Sequence, residues 1–327
     1  MSKRRRWAIG LFGMVATVVV VSAALVTWRA TPGSTGTRQS PTPAVAPASP
    51  TFSATPDPAS AAVLIGAGDI CIGSNIADAR KTAALVSARS TALVFTLGDN
   101  SNEAGTPDQY SNCYGPTWGA FKSRTSPTVG NHDLIAWHGA PYYAYFGSAA
   151  GPAHKGYYSY DVAANWHVIV LNAICSEVGG CGAGSPEETW LKADLAAIIG
   201  KHILAMWHIP EFSSGLHGNT TVYRAWWDDL YAAHADIVLN GHDHVYERFA
   251  QQSPTGAADP NGLREFVVGT GGASHSSFVT PAANSETRNG ETFGVLELTL
   301  ELHSYSWQFI PTTGGSFTDS GETATHT

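Results

Sequence analysis

The sequence predicts an α/β fold of two packed mixed β-sheets flanked by helices. Three observations point to it. Five short apolar runs each end in a polar motif, four of them through a Gly, as buried strands do where side chains project from their carboxyl ends into a shared crevice. Helical segments separate the early runs, in the manner of β-α-β units. The tail over 264–310 alternates apolar and polar residues, as half-buried antiparallel strands do.

Taken in order, Val63-Leu64-Ile65 lies in a strand over 63–68. A helix follows over 75–88, with Ala77, Ala84, Leu85 and Ala88 apolar, and a second strand over 92–97 ends at Gly98-Asp99. This opening should be parallel and right-handed. Residues 100–156, rich in Gly, Pro and Tyr, read as long loops with one short helix near 117–123. Strands are expected at 157–162 and 166–172. Ser185-Pro186-Glu187-Glu188 then starts a helix, with Ser as cap, Pro in the first turn and Trp190, Leu191, Leu195 and Ile198 as its inward stripe. A strand at 203–207, a helix at 221–234 and a strand at 236–240 repeat the α/β pattern. In the tail, Val295, Glu297 and Thr299 alternate with Leu296, Leu298 and Leu300.

The folded part is expected over 61–327. Before it, Lys3 and Arg4-Arg5-Arg6 precede an uncharged stretch from Trp7 to Trp28, which as a helix would rise about 33 Å, enough to cross a hydrocarbon core. Residues 1–30 therefore read as a signal anchor with its basic end in the cytoplasm, or as a cleaved signal peptide with Ser22-Ala23-Ala24 near the cleavage site. Either places the rest outside the cytoplasm, anchored by this segment or secreted. Residues 31–60 hold seven Pro and eleven Ser or Thr and cannot bury a core, so they read as an extended linker. Five of the eighteen Lys and Arg fall in residues 1–30, leaving 13 basic against 26 acidic groups in the remainder. That excess of negative charge excludes nonspecific nucleic-acid binding, which needs a cationic surface. Four Cys in an exported chain suggest disulfides. Cys175 and Cys181 bracket a short Gly-containing loop, which leaves Cys71 and Cys113 as the second pair. Cys71 also stands two residues after Asp69, so a metal thiolate is the alternative for it.

The five motifs are Gly68-Asp69, Gly98-Asp99-Asn100, Gly130-Asn131-His132-Asp133, Trp207-His208 and Gly241-His242-Asp243-His244. Asp, Asn and His without a thiolate cluster suit Zn, Fe or Mn. If extended, His242 and His244 point the same way and Asp243 points elsewhere. Asp99 is the expected bridging carboxylate between two metal ions, because it ends a strand taken to be central. Eight further His read as surface or core residues.

In these motifs the sequence resembles the metallophosphoesterase (calcineurin-like) superfamily, and within it the purple acid phosphatases. The pattern of two GD pairs, GNHD, a later His and GHxH is present, along with the extended string GHDHVYER over 241–248 and His217 nine residues after His208. The resemblance implies an αββα sandwich that binds two metal ions (Fe, Zn or Mn). Asp69, Asp99 and His244 would hold one, and Asp99, Asn131, His208 and His242 the other. It implies hydrolysis of small-molecule phosphate esters, monoesters above all, by in-line attack of a metal-bound hydroxide. His132 is the candidate general acid, with Asp133 as its possible orienter, and His217 binds phosphate or shares that task. No protein partner is expected, and membrane contact only through the N-terminal segment. The alternatives are a phosphodiesterase or nucleotidase on the same scaffold, and a noncatalytic envelope binding protein.

Two positions depart from the pattern. The purple enzymes place a Tyr, the source of their colour with Fe(III), where this chain has Asn102; other members place a His where it has Cys71. The first metal thus lacks either usual fourth ligand. Tyr110 and Tyr114 lie too near the end of their own strand to return and replace it, so a nearly colourless protein is expected even when iron-loaded, working with Zn, Mn or Fe(II).

Overall fold

The computed structural model describes residues 61–73 and 76–326, so the expected anchor or signal segment and the linker lie outside the described residues. Two mixed sheets face each other. The first has six strands, β1 (Ala62–Ala67), β2 (Leu93–Leu97), β3 (Thr125–Thr128), β11 (Gly294–Leu300), β12 (Ser304–Pro311) and β13 (Asp319–Ala324), in the order β13-β12-β11-β1-β2-β3. The second has seven, β4 (Tyr158–Val162), β5 (Trp166–Val170), β6 (His202–Met206), β7 (Ile237–Asn240), β8 (Tyr246–Phe249), β9 (Arg264–Val268) and β10 (Ser285–Asn289), in the order β10-β8-β9-β7-β6-β5-β4. β1, β2 and β3 run parallel, as do β5, β6, β7 and β9.

Strand periodicity builds the layers. Alternate residues of a strand face opposite sides, so Val168, Val170, Leu204, Met206 and Leu239 pack with Leu64, Phe95, Leu97 and Leu298 in one core. Their neighbours Ile169, Leu171, Ile203, Ala205 and Val238 belong to a second core, under α5 (Pro186–Ala197) and α6 (Arg224–Ala232), where Leu191, Trp226, Trp227 and Leu230 are buried. α1 (Ala77–Ser87) buries Ala79, Ala83 and Val86 against the first sheet. Ser185 caps α5 as its sequence requires, accepting the Glu188 amide at 3.2 Å behind Pro186.

Several expectations need correction. The 100–156 stretch is more helical than its Gly and Pro content suggested: α2 (Pro107–Gln109) runs on through a π-helical turn over Tyr110–Tyr114, and α3 spans Ala140–Phe146. A capping box of Thr106 with Gln109 starts the first, and its helical turn buries Tyr110 and Tyr114. A further short helix, α4, spans Cys175–Val178. The antiparallel tail continues past residue 310 to β13, and β8 follows the GHDH motif directly. Finally, β2 is not central: only β3 lies between it and the sheet edge. Both expected disulfides form, Cys71–Cys113 (Cα–Cα 5.9 Å) and Cys175–Cys181 (5.1 Å), so Cys71 is not a free thiolate. Among the described residues no helix is long and apolar enough to cross a membrane.

Candidate metal centre

The carboxyl ends of β1, β2 and β3 in one sheet, and of β6 and β7 in the other, each release a polar side chain into the same space. The chain leaves these strands through tight backbone. Asp69, Asp99 and His242 all have left-handed φ, at 57°, 47° and 69°, a conformation that costs a non-Gly residue strain and clusters at functional sites. GHDH is therefore a turn and not extended, so the condition under which its two imidazoles would point the same way is not met. Close approach explains the glycines: a Cβ at Gly98 would strike the His208 ring, and one at Gly130 would strike Asp99.

Donor atoms meet in two groups around Asp99. On one side, His208 Nε2 lies 3.3 Å from Asp99 Oδ2, 3.0 Å from Asn131 Oδ1 and 3.3 Å from His242 Nδ1. His208 Nδ1 donates to the Leu97 carbonyl at 2.7 Å, which frees Nε2 to point at the cluster. Asp99, His208 and His242 each offer one atom, all within 4.8 Å of one another, a spacing that could hold a metal ion. On the other side, His244 Nε2 is 3.2 Å from Asp69 Oδ1, and its Nδ1 is 2.6 Å from Ser274 Oγ. The Asn102 carboxamide joins this second group, 3.2 Å from Asp69 Oδ1 and 3.3 Å from Asp99 Oδ2. Asp69 also accepts the His242 amide at 2.8 Å, tying the two sheets together.

Charge follows geometry. Burial alone would raise Asp99, but His208 and His132 outweigh it and hold its carboxyl below the usual range. Burial would lower His208, yet Asp99 and Asp69 push it up to about 9. Burial and its neighbours His208 and His217 drive His242 down to about 2, so its ring is neutral, the form in which imidazole binds a metal. Two buried carboxylates with no Lys or Arg paired to either, among the described residues, beside imidazoles and an amide oxygen, form a donor set that fits borderline or hard divalent cations.

The two expected proton-transfer candidates flank this cluster. The His132 amide donates to Asp99 Oδ1 at 2.8 Å, and its Nδ1 lies 2.7 Å from the Glu103 carbonyl. That carbonyl, and not Asp133, orients the ring. Asp133 instead accepts from the Asn100, Ser101 and Gly130 amides and from the Tyr110 hydroxyl at 2.6 Å, clamping the two loops that carry Asp99 and Asn131. Tyr110 is thus spent on Asp133, and Tyr114 is buried in the same aromatic cluster. His217 stands over His242 with ring centroids 4.1 Å apart, and its Nδ1 lies 2.8 Å from Asp243 Oδ1. Asp243 also takes the Ser213 hydroxyl. Its place between two candidate ligands in GHDH was the sequence signal for this role.

Known proteins resemble this chain in sequence and in fold. A family model described as calcineurin-like phosphoesterase matches residues 64–246. Among curated proteins, purple acid phosphatase 15 of Arabidopsis thaliana is 30% identical over 178 residues, 47% of this chain and 32% of its own length. Purple acid phosphatase 18 of the same plant is 31% identical over 122 residues, 36% of this chain and 26% of its own. The chain thus spans about a third or less of these two relatives. Among solved structures, a purple acid phosphatase from yellow lupin (Lupinus luteus) seeds superposes with a TM-score of 0.64 at 19% identity, covering 82% of this chain and 54% of that one. GAP50, described as the anchor in the inner membrane complex of Plasmodium, gives 0.62 at 14% identity, covering 82% and 90%. At these identities the two structures speak to fold alone.

Proposed function

The chain belongs to the calcineurin-like phosphoesterase family, and from that premise we propose that it is an extracytoplasmic phosphatase that binds two metal ions and hydrolyses phosphomonoesters. One observation carries the reading: ligand-type atoms from five strand ends, in two sheets, converge around Asp99. The two disulfides support an oxidising compartment. Asp69, Asp99 and His244 would hold one ion, and Asp99, Asn131, His208 and His242 the other. Bound there, the ions would supply Lewis-acid stabilisation of phosphoryl charge and acidify the attacking water.

The remaining work falls to the chain's own side chains. His132, with Nδ1 on the Glu103 carbonyl, directs Nε2 toward the cluster, 3.9 Å from Asp99 Oδ2, where it can give a proton to the departing alkoxide. His217, held by Asp243 and stacked over His242, is the candidate for contacting phosphate oxygens. Asp133 keeps the Asp99 and Asn131 loops in register.

Replacing Asn131 or His208 by Ala should lower metal content and abolish turnover of an aryl phosphate, since each removes a donor that its neighbours cannot replace. Metal analysis beside the rate measurement checks this. Full activity in either variant would refute the assignment.

A further inference from the structure

Three acceptor atoms crowd one amide nitrogen. Asn102 Nδ2 lies 3.2 Å from Asp69 Oδ1, 3.3 Å from Asp99 Oδ2 and 3.2 Å from His244 Nε2. A carboxamide nitrogen carries only two protons, so it cannot satisfy three acceptors. The conflict sharpens at His244. If its Nδ1–H donates to Ser274 Oγ, at 2.6 Å, its Nε2 is a lone pair and all three partners of the amide are acceptors. Asp69 and Asp99 are buried, and among the described residues no Lys or Arg pairs with either. A neutral N–H adds no positive charge at this point, where two carboxylate oxygens and an imidazole nitrogen converge. The arrangement calls for a cation at the point where these lone pairs meet.

Asn102 is itself fixed close to that point. Its side chain is buried, and its backbone amide donates to the Cys71 carbonyl at 2.7 Å, while Cys71 is tied to Cys113. Which end of a carboxamide is oxygen follows from its partners. With a cation among Asp69, Asp99 and His244, the end now assigned as nitrogen is the one that must be oxygen.

We propose that Asn102 is a protein ligand of the metal ion held by Asp69, Asp99 and His244, bound through Oδ1. This rests on the two-metal reading above, but not on phosphatase activity. A neutral amide oxygen adds no negative charge and is a hard donor, so the site should favour divalent ions such as Mn²⁺.

The full-length protein tests this with Mn²⁺ as probe, by equilibrium dialysis of the wild type, Asn102→Ala and Asn102→Asp. The wild type should bind two Mn²⁺. Asn102→Ala should keep one and lose affinity for the other by about 100-fold, the upper end of what even an outer-shell contact commands. Asn102→Asp separates a ligand from a mere hydrogen-bond donor: it keeps an oxygen but has no N–H. A ligand role requires Asp to retain both ions. Loss of the ion in Asp as in Ala would overturn the proposal, because it would show that the site needs the amide's N–H and not its oxygen. So would wild-type affinity in Ala at both sites, or a wild type that binds no Mn²⁺. A third variant, Asn102→Tyr, covers the case in which Ala does not fold. Loaded with Fe³⁺ it should gain a visible tyrosinate band that the wild type lacks, and an iron-bound but colourless variant would contradict the proposal. A wild type that binds two Mn²⁺ yet cleaves no phosphoester would refute the phosphatase reading and leave this one standing.

Discussion

His132 donates its backbone amide to Asp99, a contact that does not depend on its ring, while its ring Nδ1 rests on the Glu103 carbonyl. Truncating the ring should therefore spare the metal donors. His132→Ala should retain both ions and slow turnover of alkyl phosphates by about 10²–10⁴-fold, the usual worth of a general acid. Aryl phosphates, with leaving groups that need little protonation, should lose less. Steady-state rates on the two ester classes decide it, and equal losses would remove His132 from that role. At this scale the sequence was informative about which residues meet. Asp69, Asp99, Asn131, His208, His242 and His244 do come together, because each follows a strand that the apolar runs disclosed. What the sequence did not disclose was who supports whom. Asp133 faces Asn100 and Tyr110 and leaves His132 alone, and Asp243 braces His217, because such pairings depend on turns such as the left-handed one at His242.

Between strand and loop, the Cys71–Cys113 bridge joins the segment leaving β1 to the π-helical turn, 42 residues along the chain. Closing a loop of that size is worth about 2–4 kcal/mol, chiefly by restricting the unfolded chain. The double variant Cys71→Ser, Cys113→Ser should melt at lower temperature, while metal content stays at the wild-type value because neither sulfur is a ligand. Calorimetry with metal analysis checks both halves. Loss of one ion along with the bridge would revive the thiolate alternative. The strands and the long helices were legible because their periods are regular over five residues or more. The helices over 107–114 and 140–146 were not: their stretches carry Pro and Gly, and what makes them helical is a capping box at Thr106 and tertiary burial of Tyr110, Tyr114, Tyr142 and Phe146. Thr106-x-x-Gln109 was a local signal that composition masked.

Across the molecule, several buried glutamates are held above the usual carboxylate range. Burial pushes Glu211 up to about 7, although Arg224 and the Tyr223 amide pull the other way. Burial also raises Glu187, Glu247 and Glu265. An acid with a raised folded pKa binds more protons folded than unfolded in the window between the two values. Its contribution is therefore complete below the unfolded value of 4.5 and is lost as pH rises through about 7. For Glu211 that loss is on the order of 3 kcal/mol. Glu211→Gln should flatten the fall in melting temperature between mildly acidic and mildly alkaline pH; an unchanged slope would show that its carboxyl is not the titrating group. The same architecture brings both sheets' strand ends to one place, and the central claim concerns what that place does. The most direct measurement is the metal content of the purified full-length protein after loading with Mn²⁺ or Zn²⁺, taken with its rate on an aryl phosphate. Two ions per chain and steady hydrolysis are expected; a protein that carries both ions and cleaves no phosphoester would contradict the account.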